Sequence, residues 1–510
     1  MHIDPGPLHA AIEMCEPDIE FVPRIWDRDH TVWQDDPDEV ADRLGWLDCP
    51  TSFQDRIDEF TSLAAVVRDD GLAEVLLIGM GGSSLYPEVL ASMFGASGDG
   101  LPLRVLDTTH PDAVARVLDE VDLERTLIVV SSKSGTTVET RSHLDRLWAD
   151  LVDSVGEHAA GSYVVAITDP GSDLAALGRD RGFRAVVENP ADIGGRFSAL
   201  SAFGLVPAAL LGVDLRAHLA AAAELAEEAH AEDLAKNHAA HLGIVLGAAA
   251  QSGRYQLTLL LPDALAPLGA WIEQLVAEST GKHGTGLLPI LDEPVLAGDR
   301  YGRQRLVVAV GDHPGLQDVA DAGLPVVRLP AVNPTRIGAE VFRWEFAIAM
   351  AGAVLGINPF DQPDVQAAKS ATTRVLREGE VPMTTSRLEE LIADLPVGEH
   401  LAILAFVDPD GPVADRLRHA VPGLRDRVAG PVTLGFGPRY LHSTGQFHKG
   451  GPDVGAYAVV VDEPSAQVDI PGHDHDFGAL VRAQAAGDVE ALEEADRRVA
   501  IVEVDELVAD

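Results

Sequence analysis

Short apolar runs alternate with helical segments over most of the chain, and this alternation restricts the possible folds more than any other feature. A first series of such runs occupies 75–80, 103–107, 126–132, 163–168 and 183–188. A second series follows an Ala-rich helical segment at 216–250, with runs at 255–262, 305–311 and 324–330. Apolar runs of this length between helices are typical of parallel strands that are buried on both faces. The pattern predicts an α/β protein with two doubly wound parallel sheets, each in a three-layer α/β/α unit.

The length of the chain also favours several units, because single cores rarely grow beyond about 250–300 residues and this chain has 510. We expect a helical N-terminal extension over 1–70, a first sheet domain over 71–230, a second over 231–398 and a helical C-terminal extension over 399–510. Within the second domain, 338–356 predicts a long buried helix and the stretch near 380–398 is hinge-like. The C-terminal extension is predicted to carry strands at 402–407, 431–436 and 456–461 before a helical tail from about Phe477.

The charge and cysteine content exclude several classes of partner. The formal net charge is −43, which opposes binding to nucleic acid or to anionic membranes. The sequence contains neither an apolar stretch of membrane-spanning length nor a recognisable signal peptide. Cys15 and Cys49 are the only cysteines, too few for a disulfide framework or a zinc cluster. We therefore expect a cytoplasmic location, with no partner among nucleic acids or membranes.

Two polar turns follow strands of the first series. The strand at 75–80 runs into Gly79-Met80-Gly81-Gly82-Ser83-Ser84 before a helix, which collects backbone N–H groups as an anion site does. Such a turn by itself equally serves close packing. The strand at 126–132 ends in Ser131-Ser132-Lys133-Ser134-Gly135-Thr136-Thr137, where five hydroxyls and an ammonium lie within seven residues. A helix cap needs one hydroxyl, so this loop predicts phosphate binding at the carboxyl edge of the sheet.

These two segments resemble the GIGGS element and the SKSGTT phosphate loop of phosphoglucose isomerases, and they are similar to the wider sugar-isomerase (SIS) domain class. Further segments extend the resemblance over roughly 70–460. Gly194-Gly195-Arg196-Phe197-Ser198 resembles the family's GGR[FY]S signature, and Glu278-Ser279-Thr280-Gly281-Lys282 resembles its ExxGK segment. Asn358-Pro359-Phe360-Asp361-Gln362 with Lys369 resembles the NxFDQ…K element, and His442-Ser443-Thr444-Gly445-Gln446 matches HSxGQ.

The resemblance implies two SIS-type domains and an aldose–ketose isomerase that interconverts glucose 6-phosphate and fructose 6-phosphate through an enediolate, in glycolysis and gluconeogenesis. It implies Glu278 as the base, Arg196 as the group that stabilises the enediolate, and Lys369 and His442 as the groups that open the sugar ring. The implied substrate-binding residues are Gly82, Ser83, Ser132, Lys133, Ser134, Thr136, Thr137, Gln274 and Gln362. Gln274 and Glu278 are spaced to share one helix face. No cofactor and no metal are implied. The only metal-like pattern, His473-Asp474-His475-Asp476, is more simply a surface turn.

The order of the segments departs from the common forms of the family. There HSxGQ lies between the base glutamate and the lysine, whereas here it follows Lys369. This order is similar to the isomerase half of bifunctional transaldolase–phosphoglucose isomerases. It leaves open whether His442 or His448 opens the ring, and whether the chain is a homodimer or a monomer. A sugar-phosphate sensor without catalysis, activity on mannose 6-phosphate and a separate transaldolase partner also remain as alternatives.

Overall fold

The computed structural model describes residues 1–378, 385–393 and 395–508. Residues 379–384 and 394 of the hinge-like stretch predicted near 380–398 lie outside the described residues. The N-terminal region is largely helical, as expected, and adds one short strand, with elements β1 (His2–Asp4), α1 (His9–Cys15), α2 (Phe21–Trp26), α3 (Cys49–Ser52) and α4 (Ile57–Asp69).

The first sheet is wholly parallel, with strand order β3-β2-β4-β5-β6. Its strands are β2 (Glu74–Ile78), β3 (Leu103–Leu106), β4 (Thr126–Ser131), β5 (Val164–Thr168) and β6 (Ala185–Glu188). Its helices are α5 (Leu85–Phe94), α6 (Pro111–Glu120), α7 (Val138–Val155), α8 (Glu157–Ala160) and α9 (Asp173–Asp180). All six residues of β4 are buried, which explains the continuous apolar run from Leu127 to Val130. All five strands predicted for this domain are confirmed.

Three helices connect the two sheets: α10 (Ala202–Leu210), α11 (Leu215–Glu228) and α12 (His238–Gln251). The prediction of a single helix over 216–250 is therefore wrong, because this stretch contains two helices, α11 and α12. The chain breaks because the side chain of Asn237 accepts a hydrogen bond from the N–H of Ala240 and starts a new helix there. An Asn side chain that bonds locally in this way favours a helix start over a helix interior.

The second sheet has the order β1-β10-β9-β7-β8 and is parallel apart from β1, which pairs antiparallel with β10. Its remaining strands are β7 (Gln256–Leu260), β8 (Leu288–Ile290), β9 (Arg305–Val310) and β10 (Val326–Leu329). The helices of this region are α13 (Leu268–Thr280), α14 (Leu316–Asp321), α15 (Ile337–Leu355), α16 (Val365–Glu378) and α17 (Leu388–Ile392). The long buried helix predicted at 338–356 is confirmed as α15. One continuous apolar core joins the N-terminal helices, α12, α13 and α15 to both sheets.

The C-terminal region contains a third parallel sheet, of order β12-β11-β13-β14. Its elements are β11 (His400–Phe406), α18 (Pro412–Val428), β12 (Val432–Phe436), α19 (Gly445–Gly450), β13 (Gly455–Val461), α20 (Phe477–Glu494), β14 (Arg498–Ile501) and α21 (Val504–Leu507). The three predicted strands are confirmed, but the region is an α/β unit rather than a helical extension. The fourth strand, β14, was not predicted because its short apolar run directly follows the charged end of a helix, in a tail that was predicted to be helical. Helix α20 packs against α16 and so brings the tail back to the second domain.

Candidate functional site

The predicted phosphate loop lies at the carboxyl end of β4. Its backbone turns at Gly135, whose φ of +77° is a conformation that favours glycine. The loop is held from within: Gly135 N–H donates to Ser132 Oγ over 3.1 Å, and the hydroxyls of Ser134 and Thr136 are 2.7 Å apart. Thr137 is the N-cap residue of α7, but its side chain makes no capping hydrogen bond. The Thr137 hydroxyl is therefore not consumed by helix capping, and each of the other hydroxyls keeps hydrogen-bonding capacity for a ligand, because a hydroxyl has one donor and two acceptor positions.

The first glycine turn approaches the Arg196 segment very closely. A Cβ atom added to Gly82 would lie 1.9 Å from the carbonyl oxygen of Gly195, so only glycine allows this contact. The turn is also tied to the phosphate loop, because Ser131 Oγ donates to the carbonyl oxygen of Ser83 over 2.8 Å. The two glycine segments that were separate motifs in the sequence thus form one wall.

Glu278 and Arg196 lie side by side on that wall. Arg196 Nη1 is 3.5 Å from Glu278 Oε1, and both side chains are at most 5% exposed. The other Arg196 donors are occupied: Nε donates to Ser279 Oγ, and Nη2 donates to the carbonyl oxygens of Pro359 and Asp361. Burial lowers the pKa of Arg196 despite the attraction of Glu278 and Asp361. The guanidinium is therefore fixed, with Nη1 as its free end beside the carboxylate.

Gln274 lies one helical turn before Glu278, as the sequence predicts. Its Nε2 donates to Glu278 Oε2 over 3.1 Å and to the carbonyl oxygen of His442 over 2.8 Å. The amide oxygen of Gln274 is buried and has no partner among the described residues. Because a buried acceptor without a partner is costly, this oxygen suits a ligand hydroxyl.

A buried lysine fixes the segment that carries Gln362. Lys282 is fully buried, and its Nζ donates to the carbonyl oxygens of Asn358 and Asp361 and to Asp361 Oδ1. Burial, reinforced by the charge of Arg196, lowers the pKa of Lys282 to about 8. The sequence analysis included Lys282 in the ExxGK segment but assigned it no role. In the structure it is a brace below the site.

His442 reaches the site from the C-terminal region. Its Nε2 is 3.1 Å from Glu139 Oε1. Burial works against ionisation of Glu139, but His442 and Lys369 hold its pKa below the usual value. Lys369 lies on α16 beside the same cavity and has no ion-pair partner within the ranges described. His448, the alternative to His442, is buried between the rings of Tyr440 and Tyr457 and does not line the cavity.

The predicted site residues enclose a cavity of about 570 Å³. Those that line it are Gly82, Ser83, Ser132, Lys133, Ser134, Thr137, Arg196, Gln274, Glu278, Gln362, Lys369 and His442. Thr136 is the exception and faces an adjoining cavity, which it shares with Lys369 and His442. The sequence missed Glu139 as a partner of His442, although it directly follows the phosphate loop.

Lys133 lines the cavity, but its ammonium group already forms hydrogen bonds and an ion pair with protein oxygen atoms. Nζ is 2.7 Å from Asp169 Oδ2 and donates to the carbonyl oxygens of Ala191 and Ile193 over 2.7 and 3.1 Å. An ammonium has three donors, and all three are taken here. Burial raises the pKa of Asp169 even though Lys133 opposes the shift. Within the described part of the chain, no group of three His, Cys, Asp or Glu side chains is arranged to hold a metal.

The site combines an anion-binding loop with a carboxylate–guanidinium pair and two further basic groups. Hydroxyls and backbone N–H groups suit a phosphate at one end. A carboxylate beside a fixed cation suits removal of a proton next to a carbonyl, with stabilisation of the resulting oxyanion. Together with the parallel sheets, this arrangement defines the chain as an α/β protein of the sugar-isomerase (SIS) fold class.

The comparisons with known proteins agree with this class. The sequence model of the phosphoglucose isomerase family matches residues 25–287, just over half of the chain. A glucose-6-phosphate isomerase from Rubrobacter xylanophilus is 29% identical over 409 residues, which are 69% of this chain and 92% of the relative. One from a Synechococcus species is 31% identical over 352 residues, 60% of this chain and 66% of the relative. The chain belongs to the phosphoglucose isomerase family.

Solved structures support the fold. A hypothetical protein from Thermus thermophilus is 26% identical with a TM-score of 0.62, over 72% of this chain and 96% of that chain. A glucose-6-phosphate isomerase from Chlamydia trachomatis is 21% identical with a TM-score of 0.54, over 71% of this chain and 78% of that chain. The family match ends at 287, before Gln362, Lys369 and His442, so these three residues rest on motif and geometry alone. Of the helices in the described ranges, none is long and apolar enough to cross a membrane.

Proposed function

We propose that this protein interconverts glucose 6-phosphate and fructose 6-phosphate through an enediolate. The observation that carries the proposal is the Glu278–Arg196 pair, 3.5 Å apart, in one cavity with the hydroxyl-rich loop. Family membership supports the same reaction, because the curated relatives compared above are named glucose-6-phosphate isomerases.

The phosphate binds to the two turns of the first sheet. Gly82 and Ser83 from one turn, and Ser132, Ser134, Thr136 and Thr137 from the other, offer it hydroxyls and N–H groups. Lys133 adds positive charge beside this loop, although its hydrogen bonds go to protein oxygens. Binding energy from this distant group holds C1 and C2 of the sugar against the base.

Glu278 carries the proton between C2 and C1, and Arg196 stabilises the enediolate. Nη1 of Arg196 is the one guanidinium nitrogen that makes no hydrogen bond to a described protein atom, so it is placed for an oxyanion next to the carboxylate. Gln274 donates to Glu278 and offers its amide oxygen to a sugar hydroxyl. Gln362 completes the lining of the sugar pocket. It directly follows the segment that the ammonium of Lys282 holds by hydrogen bonds.

Lys369 and His442 exchange protons with the ring oxygen and the O1 hydroxyl to open the pyranose. Both line the cavity, and the Glu139 carboxylate orients His442. We assign ring opening to His442 rather than His448, because His448 is packed among tyrosine rings outside the cavity. The tautomer that fits a carboxylate partner carries its proton on Nε2.

The reaction needs no cofactor in this proposal, and the protein acts in the cytoplasm without nucleic-acid or membrane partners. Cys15 and Cys49 are both free and buried, which suits a reducing compartment. A homodimer is the oligomeric state we propose to test, by light scattering of the purified protein. The four divisions at 1–70, 71–230, 231–398 and 399–510 remain a proposal; the third sheet begins at His400, close to the last boundary.

The test is a coupled assay of EDTA-treated protein that follows glucose 6-phosphate formed from fructose 6-phosphate. Removing a general base costs on the order of 10²–10⁴-fold in rate, so we expect Glu278→Gln to lower kcat at least a hundredfold. Glu273→Gln is the matched control: Glu273 lies on the same helix, does not line the cavity, and burial raises its pKa to about 8. The amide therefore replaces a carboxyl that is largely protonated at neutral pH, and activity should be retained.

The competing function is a sugar-phosphate sensor without catalysis. A sensor has use for the phosphate loop but none for the base, the fixed cation and the ring-opening pair in one cavity. Tight binding of fructose 6-phosphate by calorimetry, with no turnover in the parent protein, would favour the sensor. Comparable turnover of mannose 6-phosphate would widen the substrate range without changing the chemistry.

A further inference from the structure

A buried series of hydrogen bonds connects Thr109, through Gln484 of helix α20, to Glu139 and His442. Thr109 Oγ1 donates to Gln484 Oε1 over 2.6 Å, and Gln484 Nε2 donates to Glu139 Oε1 over 2.8 Å. Glu139 Oε1 is in turn 3.1 Å from His442 Nε2. Thr109, Gln484 and Glu139 are 0%, 2% and 4% exposed. These three side chains are almost fully buried, Glu139 and Gln484 border the adjoining cavity that Thr136 lines, and His442 also faces the substrate cavity.

The donor and acceptor roles in this series are fixed, because each hydrogen bond determines the orientation of the group that makes the next one. A carboxylate only accepts hydrogen bonds, so both Gln484 and His442 must present N–H groups to Glu139. The Thr109 hydroxyl holds the amide oxygen of Gln484 away from that carboxylate. If the amide turned over, two acceptors would face each other in a buried place, which is costly.

We propose that Gln484 is a positioning residue for ring opening. It fixes the Glu139 carboxylate so that His442 keeps its proton on Nε2 and leaves Nδ1 as the proton acceptor. Thr109 acts one step further away by fixing the amide of Gln484. The inference rests on the proposed function for its catalytic meaning, but the geometry of His442 can be measured without turnover.

Helix α20 also has a purely structural part, and the test must separate the two. Asp488, one turn after Gln484, pairs with Lys449 over 2.5 Å and accepts from Tyr440 over 2.6 Å. A substitution that only loosened α20 would lower stability without a specific effect on His442. The informative variants are therefore those that change one hydrogen bond and keep the shape.

The first measurement is NMR of ligand-free protein labelled with ¹⁵N-histidine, with the His442 signals assigned by their absence in His442→Gln. We expect a protected Nε2–H and an unprotonated Nδ1 in the parent. In Gln484→Leu the Nε2–H should exchange with solvent at least tenfold faster, and Thr109→Val should act in the same direction. Thr109→Ser keeps the hydroxyl and should match the parent, as should Glu493→Gln on the exposed part of α20.

The second measurement is steady-state kinetics with fructose 6-phosphate. Removing one donor from a buried carboxylate is a loss of the order of one hydrogen bond, and a loss of that size in the transition state lowers the rate roughly tenfold. We expect kcat of Gln484→Leu to fall by about that factor, with a smaller change in KM, because Gln484 lies outside the main substrate cavity and borders only the adjoining one. Thr109→Ser should restore what Thr109→Val loses.

An unchanged His442 Nε2–H in folded Gln484→Leu would overturn the inference. If that variant does not fold, the Thr109→Val and Thr109→Ser pair decides by the same criterion. If the parent lacked isomerase activity, the proposed function would fail, and the NMR result would still stand on its own.

Discussion

The contact between Gly82 and Gly195 allows a sharp prediction for Gly82→Ala. The added Cβ would lie 1.9 Å from Gly195 O and 2.3 Å from Gly195 C. Both are backbone atoms, so no side chain can rotate away. To reach 3.0 Å, the shortest distance that real Cβ atoms keep, the two segments must separate by 1.1 Å (3.0 − 1.9). That movement acts directly on Arg196, the next residue.

A misplacement of about 1 Å can cost on the order of 10²-fold in rate, which corresponds to about 2.7 kcal/mol. We therefore expect Gly82→Ala to lower kcat/KM in the coupled assay about a hundredfold. Overpacking should also destabilise the fold by about 1–3 kcal/mol, measured by denaturant unfolding. Gly423→Ala is the control, since nothing lies within 4 Å of its Cβ position, and activity should not change. Activity of Gly82→Ala within threefold of the parent would refute the reasoning.

Two further predictions concern ionisable side chains, one paired and one buried. Lys133→Met should lower the melting temperature and change KM little, because the ammonium is bound to Asp169, Ala191 and Ile193 rather than free for phosphate. A large rise in KM with an unchanged melting temperature would indicate direct phosphate binding. Glu345→Gln should stabilise the protein, and more at pH 8 than at pH 5. The Glu345 carboxyl is fully buried, neither of its oxygens has a hydrogen-bond partner among the described residues, and burial raises its pKa. The folded state therefore holds a proton that the unfolded state releases, so stability falls as the pH rises above the unfolded pKa. Melting curves of both proteins at the two pH values decide the matter; an equal difference at both would contradict it.

Much of the fold could be predicted because parallel strands buried on both faces are continuously apolar. Strands such as β4 and β5 stand out for that reason. The elements that escaped are short or depend on distant pairing. β1 has three residues and is defined by antiparallel pairing to β10, more than three hundred positions away. Local periodicity carries no information on such a pairing.

The site was predictable wherever its chemistry lies within one segment. The spacing of Gln274 and Glu278 predicted that they share one helix face, and the hydroxyls of 131–137 predicted the phosphate loop. The relation of Lys133 to Asp169 was not predictable, because it depends on how the ends of β4 and β5 meet. The same holds for the chain from Gln484 to His442, which joins the C-terminal helix to the first domain. Long-range contacts of single side chains leave no pattern in the sequence.

The central claim is that Glu278 moves a proton between C2 and C1 through an enediolate. Its most direct test is incubation of fructose 6-phosphate with the enzyme in D₂O, with deuterium in the sugar phosphates followed by NMR. A carboxylate base can exchange its proton with solvent while the enediolate is bound, so repeated turnover by the parent should place deuterium on C1 of fructose 6-phosphate and C2 of glucose 6-phosphate. Glu278→Gln should place none above background. Rapid interconversion by the parent without any deuterium in either product, or undiminished incorporation in Glu278→Gln, would contradict the account.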